Sequence, residues 1–254
     1  MFRRTRSSLS SGHSTRSTRP VRTALVAIAA AVTTAATALT VTPSVAATSS
    51  TAGVWASCPN GYVGLTYDDG PNPSSTSALL NALNQGGAKA TFFIWGAHAQ
   101  QYPSLLQQEA SAGMWIGNHT WDHPHMTQQS TQTMTNEISQ TQNIIQQTIG
   151  QRPVLFRPPY GETNSTLKSI EQQQGIQAEV IWSHDSQDWN GASTQQIVQT
   201  ASTMTNGSII LMHDGGYQTT IQAVPQILSG LASRGLCPGK IVPGQNLQPV
   251  VTAP

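Results

Sequence analysis

The sequence is poor in charged residues and has very few cysteines. Only 9% of its 254 residues are charged, and only two, Cys58 and Cys237, are cysteines. All eleven acidic residues follow residue 46, but only six of the twelve basic residues do, so residues 47–254 carry a net charge of −5. A chain with so few lysines and arginines is poorly suited to neutralise phosphate groups. This argues against nucleic acid or an anionic membrane surface as a partner.

The scarcity of cysteine also restricts the metal chemistry. Cys58 and Cys237 lie near opposite ends of residues 47–254 and do not form the closely spaced pairs of a zinc–thiolate site. In an exported protein we expect them to form one disulfide, which would stabilise the fold by ~5 kcal/mol in the chain-entropy model. The alternative is two buried free thiols. The sequence also lacks the G-x-S-x-G turn that carries the nucleophilic serine of α/β-hydrolases.

The first 46 residues have the composition of a secretory signal. Six arginines precede an uncharged segment at 24–41 that is rich in Ala, Val, Leu and Thr, and Ser44-Val45-Ala46 provides a small-x-small cleavage site. We therefore predict a signal peptide at 1–46, a short linker at 47–57 and a secreted, extracellular protein with no membrane attachment after cleavage. The alternative is a transmembrane anchor, for which the apolar run is about long enough.

Residues 58–240 alternate short apolar runs with longer amphipathic segments. The predicted strands are "YVGLTYDD", "ATFFIW", "MWIGNH", "VLFRPPY", "AEVIWSHD" and "GSIILMHD", and helical patterns lie between most of them. About seven such units predict an α/β fold in which parallel strands are joined by helical crossovers in a single domain. The Pro-, Gly- and Gln-rich residues 241–254 are predicted to form an irregular tail.

Ionisable and aromatic side chains follow almost every predicted strand. In folds of parallel strands the active residues cluster at the carboxyl ends of the strands, so we expect these side chains to share one site. They are Asp68, Asp69, His119, Arg157, Tyr160, Asp185, Asp188, Trp189 and His213.

A histidine pair in this set indicates a metal site. His119 and His123 are four residues apart, a spacing that one helical turn places on one side. Two imidazoles and one carboxylate suit Zn²⁺, Co²⁺ or Ni²⁺ and leave positions for water and substrate. Asp68 or Asp69 is the natural third ligand. The H-x-x-x-H pattern is weak by itself, but the carboxylates at the neighbouring strand ends strengthen it.

Five short motifs resemble those of a known family. "TYDDGP", "HTWDH", "RPPYG", "DSQDW" and "LMH" are similar, in order, to the motifs of the family 4 carbohydrate esterases. These are metal-dependent polysaccharide deacetylases that include chitin deacetylases, peptidoglycan N-acetylglucosamine deacetylases and acetylxylan esterases. The resemblance covers about residues 60–235. It implies a distorted (β/α) barrel of about seven parallel strands and an acetylated polysaccharide or oligosaccharide as the substrate, and we expect a monomer.

The resemblance also implies roles for the first motifs. Asp68 is expected to be the general base, and Asp69 to bind Zn²⁺ or Co²⁺ together with His119 and His123. Arg157 is expected to pair with Asp68, orient it and lower its pKa, so that the base stays ionised near neutral pH.

The remaining motifs imply an acid and a substrate pocket. His213 is expected to be the general acid, with Asp188 as its charge partner. The backbone N–H of Tyr160 is expected to help bind the oxyanion, and Trp189 and Leu211 to line the acetyl pocket.

Two other functions stay open at this point. A non-catalytic carbohydrate-binding protein on the same fold predicts a broken set of motifs, and none of the key positions is broken. Another metal-dependent hydrolase, such as a phosphoesterase, would favour more basic residues than residues 47–254 contain. His98 and His125 match none of the family roles and are predicted to be surface or loop histidines, and Glu162 is predicted to cap the following helix.

Overall fold

The computed structural model describes Trp55 and residues 57–254, and residues 57–254 belong to one compact unit. The predicted signal peptide at 1–46 lies outside the described residues, as does nearly all of the predicted linker at 47–57. Among the helices that are described, none is both long enough and apolar enough to cross a membrane.

Parallel strands form one curled sheet with the order of an incomplete barrel. The order is β5-β4-β3-β2-β1-β7-β6, and β8 pairs with the start of β1. Every pairing in this sheet is parallel, which confirms the predicted α/β class and the distorted barrel. The strands are β1 (Tyr62–Asp68), β2 (Thr91–Ile94), β3 (Trp115–Asn118), β4 (Leu155–Phe156), β5 (Ala178–Glu179), β6 (His184–Asp185), β7 (Ile209–His213) and β8 (Cys237–Pro238).

Helices cover the outside of the sheet. Helix α4 shows how the sequence sets its ends: the Ser130 side chain accepts from the Thr133 N–H, and Gly150 ends the helix in the left-handed region with φ 73°. The helices are α1 (Thr76–Gln85), α2 (Gly96–Gln101), α3 (Pro103–Ser111), α4 (Thr131–Ile149), α5 (Ser165–Gln173), α6 (Thr194–Ser202) and α7 (Gln218–Ser233).

Strand β1 lies inside the sheet, between β2 and β7, and positions the site. Its residues after Tyr62 are all buried, as expected for a strand that is covered on both faces. Its register places Asp68 beside Phe93 of β2 on one side and beside His213 of β7 on the other. The first and fifth motifs therefore meet at the carboxyl end of one strand pair.

Two expectations about local structure are wrong, and one short helix was not predicted. The segment "AEVIWSHD", predicted as one strand, forms two short strands, β5 and β6. These two strands lie at opposite edges of the sheet. A short helix, α2, precedes α3 and is too short to give a periodic signal. The predicted irregular tail forms an antiparallel hairpin of β9 (Lys240–Pro243) and β10 (Pro249–Thr252), because buried Ile241 packs closely against Gly64.

The predicted disulfide is confirmed. Cys58 and Cys237 are bonded, with their Cα atoms 5.6 Å apart across a sequence separation of 179 residues. The bond joins the segment before β1 to β8, at the end of β1 that lies away from Asp68.

Candidate active site

A cavity of about 400 Å³ opens at the carboxyl ends of the strands. Eight of the ten predicted catalytic, substrate and metal residues line it, and it also contains Pro158, Trp182 and Asp185. The other two, Arg157 and Asp188, are buried and are hydrogen-bonded to residues of the lining. The eight are Asp68, Asp69, His119, His123, Tyr160, Trp189, Leu211 and His213.

Three of these residues could hold a metal ion. Asp69 leaves β1 with a positive φ of 70°, and its Oδ1 lies 3.6 Å from His119 Nε2 and 3.5 Å from His123 Nε2. All three candidate ligand atoms lie within 4.8 Å of one another. Asp69 Oδ1 is buried and has no hydrogen-bond partner among the described residues. A buried carboxylate oxygen that faces two imidazoles fits a divalent cation.

The state of His119 supports this fit. Its Nδ1 lies 2.7 Å from the Arg157 carbonyl oxygen, so Nδ1 carries the proton and donates it, which leaves the Nε2 lone pair facing Asp69. Burial lowers the pKa of His119 to about 3, and the opposing charge of Asp69 only partly offsets this effect. The imidazole is therefore neutral at physiological pH, as a metal ligand must be.

The segment that joins the two histidines differs from the sequence prediction. His119 and His123 were expected on one helical turn, but the residues from 119 to 125 are irregular. Thr120 and His123 both have positive φ values, 68° and 57°. A tight loop, rather than a helix, brings the two rings to a centroid separation of 4.9 Å.

Asp68 forms a buried ion pair behind the cavity. Arg157 Nη1 donates to Asp68 Oδ1 at 2.7 Å and to Thr66 Oγ1 at 2.8 Å, and Nε donates to the Val180 carbonyl at 2.9 Å. The guanidinium also lies 4.2 Å from the ring centroid of Phe93. These contacts fix both the position and the orientation of the carboxylate.

Arg157 lowers the pKa of Asp68 as expected, but burial of the carboxylate outweighs this effect, so the net shift is upward. Burial raises the pKa of Asp68 above its ordinary value of 3.8, and the charge of Arg157 opposes that rise without cancelling it. The sequence showed the pairing partner, but the depth of burial depends on the sheet around both groups.

His213, which lines the cavity, and buried Asp188 form a second ion pair. His213 Nδ1 lies 2.7 Å from Asp188 Oδ1, and the His213 backbone N–H donates to Oδ2 at 2.8 Å. Burial by itself lowers the pKa of His213, but the hydrogen bond and charge of Asp188 outweigh it and raise the pKa to about 9. His213 is therefore protonated at neutral pH, with Nε2–H available to a ligand.

Aromatic residues form the rim of the cavity. Tyr160 is 54% exposed and Trp189 is 50% exposed, whereas Leu211 is buried. Tyr160 is held with a positive φ of 60° in a short turn at Pro159–Gly161. Trp189 Nε1 lies 3.4 Å from Asp185 Oδ1, which orients the indole. The cavity thus has an aromatic entrance and an apolar wall.

Sequence reasoning missed some contributors to the site. Trp182 lies in the middle of the predicted strand "AEVIWSHD" but lines the cavity, with its ring centroid 5.6 Å from the Arg157 guanidinium. His98, predicted to be a surface or loop residue, is half-buried on α2, and its Nδ1 lies 2.9 Å from the Asp69 carbonyl oxygen. Neither residue belongs to a local motif, so only the packed structure reveals them.

Two further predictions concern residues near the rim. His125 is exposed as predicted, and its ring stacks on Tyr160 at 4.0 Å. Glu162 does not cap α5; its carboxylate lies 3.1 Å from both His125 Nδ1 and Thr127 Oγ1. The Asn164 side chain is the cap, since it accepts from the Leu167 N–H.

Comparisons with known proteins show the family to which this chain belongs. The polysaccharide deacetylase family model matches residues 57–178. The chain is 45% identical over 185 residues to a bifunctional xylanase/xylan deacetylase of Cellvibrio japonicus, covering 72% of this chain and 28% of that protein. It is 38% identical to a peptidoglycan-N-acetylglucosamine deacetylase of Listeria monocytogenes, covering 69% of this chain and 37% of that protein. The chain therefore spans well under two thirds of the length of these curated relatives.

A solved structure matches more completely. A family 4 carbohydrate esterase from Streptomyces lividans, in complex with acetate, has a TM-score of 0.73 and 52% sequence identity. The alignment covers 77% of this chain and 99% of that one. At this identity and coverage, the chain belongs to the polysaccharide deacetylases of carbohydrate esterase family 4.

Proposed function

We propose that this protein is a secreted, metal-dependent deacetylase that hydrolyses N-acetyl or O-acetyl groups of a polysaccharide or oligosaccharide. The observation that carries the proposal is that Asp69 Oδ1, a buried oxygen without a partner in the described chain, faces two imidazoles. The same cavity contains an oriented carboxylate, Asp68, and a protonated imidazole, His213. A purely carbohydrate-binding protein would need none of these three features.

Asp69, His119 and His123 would hold the cation, and their N, N, O donor set suits Zn²⁺ or Co²⁺. A cation bound there would polarise the acetyl carbonyl and lower the pKa of a coordinated water. His119 is already neutral and held in the required tautomer, so little reorganisation is needed on binding.

Asp68 would take the proton from the attacking water. Arg157 Nη1 bonds Oδ1, whereas Oδ2 lies 3.8 Å from His119 Nε2, on the side where the cation would lie. The raised pKa of Asp68, caused by burial, moves the carboxylate towards the operating pH and makes it a stronger proton acceptor than an exposed aspartate.

His213 would deliver a proton to the leaving amine or alkoxide. Its Nδ1 is engaged by Asp188, so the proton that can leave is the one on Nε2. The backbone N–H of Tyr160 would help to stabilise the oxyanion, and Trp189 and Leu211 would enclose the acetyl group. Asp68 and His213 lie side by side at the carboxyl ends of β1 and β7, so the base and the acid would both reach a substrate in this cavity.

Two observations support the substrate class and the location. The relatives are named as xylan and peptidoglycan deacetylases, and the rim presents exposed Tyr160 and Trp189, which suit the apolar faces of sugar rings. The Cys58–Cys237 disulfide suits an oxidising compartment, in agreement with the signal peptide inferred at 1–46. Residues 47–254 carry too few basic groups to favour a phosphoesterase.

Acetate release tests the proposal directly. Purified residues 47–254 should release acetate from at least one of chitopentaose, acetylxylan and peptidoglycan when Zn²⁺ or Co²⁺ is added, and EDTA should stop the reaction. The variant Asp68→Asn should still bind zinc in calorimetry but lose turnover. Failure to release acetate from all three substrates, with zinc bound, would contradict the enzyme assignment, and an active Asp68→Asn variant would contradict the role of the base.

A further inference from the structure

The loop between His119 and His123 lacks the backbone hydrogen bonds of a helix, so its N–H groups need other acceptors. Thr120 N–H donates to Asn118 Oδ1 at 2.9 Å, and His123 N–H donates to Thr120 Oγ1 at 3.2 Å. Both of these acceptors belong to the loop or to the strand just before it. Local side chains therefore satisfy the two ends of the loop but not its middle.

The middle of the loop depends on one distant side chain. The backbone N–H groups of Trp121 and Asp122 both donate to Glu137 Oε2, each at 2.8 Å. Glu137 comes from α4 and is only 8% exposed. A single carboxylate oxygen thus replaces the two hydrogen bonds that a helical turn would have supplied at these positions.

The position of Glu137 is fixed by its own helix. Ile138, the next residue, is fully buried in the core, and Thr141, one turn later, donates to the Glu137 carbonyl at 3.0 Å. Thr141 also packs against Gly96, where a Cβ atom would lie 2.4 Å from Thr141 Oγ1. Helix α4 is therefore set rigidly beside the start of α2, and Glu137 projects from a well-ordered support.

The first N–H groups of helix α2 donate to carbonyl groups of the same loop. Gly96 N–H donates to the Thr120 carbonyl at 2.8 Å, and Ala97 N–H donates to the Trp121 carbonyl at 3.1 Å. The loop needs this support because Thr120 and His123 occupy the left-handed region, which residues other than glycine adopt at a cost. Without Glu137, the N–H groups of Trp121 and Asp122 would lose their acceptor and the strained loop would be free to relax.

We propose that Glu137 is a positioning residue of the metal centre, which holds the 120–122 loop so that His123 faces Asp69 and His119. The inference rests on the proposed function, because it takes Asp69, His119 and His123 as the ligands of the cation. Glu137 does not line the cavity and would act only through the backbone of the loop. It is an outer support of the kind whose removal typically weakens metal affinity about 10- to 100-fold.

Zinc affinity of four proteins, measured by calorimetry or chelator competition, tests the proposal. We expect Glu137→Ala to weaken zinc binding about 10- to 100-fold. Glu137→Asp withdraws the acceptor by one methylene and should weaken binding by at least about threefold. Glu137→Gln keeps an oxygen at the same distance from the backbone and should stay closest to the wild type.

Cobalt absorption and kinetics give readouts that a purely structural role would not change. The visible spectrum of the Co²⁺ form should change in Glu137→Ala, because the His123 ligand is displaced. At subsaturating metal, kcat should fall in proportion to metal occupancy while KM for the acetylated substrate stays the same. The control is Ile138→Ala on the same helix, which should lower the melting temperature but leave zinc affinity and the cobalt spectrum unchanged.

The outcomes separate this inference from the proposed function. If the wild-type protein binds no zinc or cobalt, the proposed function fails. If it binds metal and Glu137→Ala or Glu137→Asp binds within twofold of it, the role of Glu137 is overturned. A Glu137→Gln variant as weak as Glu137→Ala, beside a normal Glu137→Asp, would also overturn it, because charge rather than the position of the acceptor would then decide. Should Glu137→Ala fail to fold, the zinc affinities of Glu137→Asp and Glu137→Gln distinguish these outcomes.

Discussion

Two aspartates of the site, Asp69 and Asp188, differ in how many hydrogen bonds their carboxylates accept. The carboxylate of Asp188 accepts four hydrogen bonds, from the backbone and ring of His213, from Thr220 and from the Trp189 backbone. Asp69 Oδ1 is buried with no partner in the described part of the chain. The protein thus supplies hydrogen-bond donors to both oxygens of Asp188, whereas Asp69 Oδ1 remains free to bind a ligand.

This difference suggests different chemistry for the two carboxylates. All the hydrogen bonds that Asp188 accepts come from the surrounding protein. Its hydrogen bond and charge raise the pKa of His213 to about 9, so His213 stays protonated at neutral pH. The oxygen of Asp69 faces imidazole nitrogens, and His119 is held neutral so that it can offer a lone pair. We therefore associate Asp188 and His213 with proton donation, and Asp69 with a cation.

Replacing Asp69, whose Oδ1 has no hydrogen-bond partner in the described chain, should have the largest effect on activity. Asp69→Asn keeps the shape and tolerates the positive φ of this residue, but it removes the negative charge. We expect zinc binding by calorimetry and acetate release both to become undetectable. The melting temperature of the metal-free protein should change little, because Asp69 Oδ1 has no protein partner to lose. If the variant still bound zinc like the wild type, the assignment of Asp69 as a metal ligand would be wrong.

Replacing Asp188, whose oxygens are fully hydrogen-bonded, should lower turnover without changing zinc binding. Asp188→Asn should lower kcat by about 10²- to 10⁴-fold, the usual contribution of a general acid, while zinc affinity stays unchanged. Activity in the wild type should be lost as pH rises through about 9, because only protonated His213 can donate. In the variant this basic limb should move to lower pH, which a pH profile of kcat/KM measures.

The same pair has a defined effect on stability. The pKa of His213 is raised from 6.5 to about 9 in the folded protein. Its contribution to the free energy of unfolding is therefore fully present below pH 6.5 and is lost as pH rises through about 9. Urea unfolding of Asp188→Asn should lack this pH dependence, and an unchanged curve would show that the ion pair does not govern His213.

The disulfide tests whether stability alone could explain changes in activity. The double variant Cys58→Ser, Cys237→Ser should lower the free energy of unfolding by ~2–5 kcal/mol, measured by urea titration. Its kcat and zinc affinity at 25 °C should match the wild type, because the bond lies about 20 Å from Asp68 along β1. A large loss of kcat in the folded double variant would weaken every assignment that is based on local contacts.

Glu171 lies outside the site, and its replacement should have the smallest effect on the protein. It provides a useful comparison with Asp69. Both oxygens of Glu171 lack a hydrogen-bond partner among residues 57–254, yet the group beside it is another carboxylate, Glu179, rather than imidazole. Burial, together with the charge of Glu179, raises the pKa of Glu171 to about 9. An unpartnered oxygen therefore indicates a proton here and a cation at Asp69, depending on the surrounding donors.

The variant Glu171→Gln checks this distinction. With the pKa of Glu171 raised from 4.5 to about 9, its stabilising proton is present at low pH and is lost as pH rises through about 9. The neutral glutamine should therefore increase the free energy of unfolding at pH 8, measured by urea titration. Zinc stoichiometry should stay at one per chain, and a second zinc in the wild type that is lost in Glu171→Gln would contradict the assignment.

Much of the site was predictable because its information is local. Each motif ends a strand, and parallel strands place such ends at one edge, so Asp68, His119, Arg157, Asp188 and His213 could be assigned together. The alternation of apolar runs and helical patterns likewise predicted the α/β class. The two cysteines predicted their disulfide without any contact information, because they are the only pair in the chain.

What could not be predicted depends on distant contacts. The H-x-x-x-H spacing suggested a helical turn, but α2 and a carboxylate from α4 hold the histidine loop in an irregular form. The tail reads as irregular, yet Ile241 finds a buried place against Gly64 and a hairpin forms. The net pKa of Asp68 depends on how deeply the sheet buries it, since Arg157 alone would lower it.

The sequence by itself therefore placed the proposed catalytic and metal-binding residues at the ends of the strands, because local patterns set these residue types there, and the resemblance to the family motifs suggested their roles. Only the tertiary structure decided their protonation states and the support of the metal loop. Burial depth and hydrogen-bond completion arise from segments far apart in the chain, such as Glu137 and Trp121 or Asp188 and His213. No local pattern specifies those quantities, since each depends on the way in which the whole sheet and its helices pack.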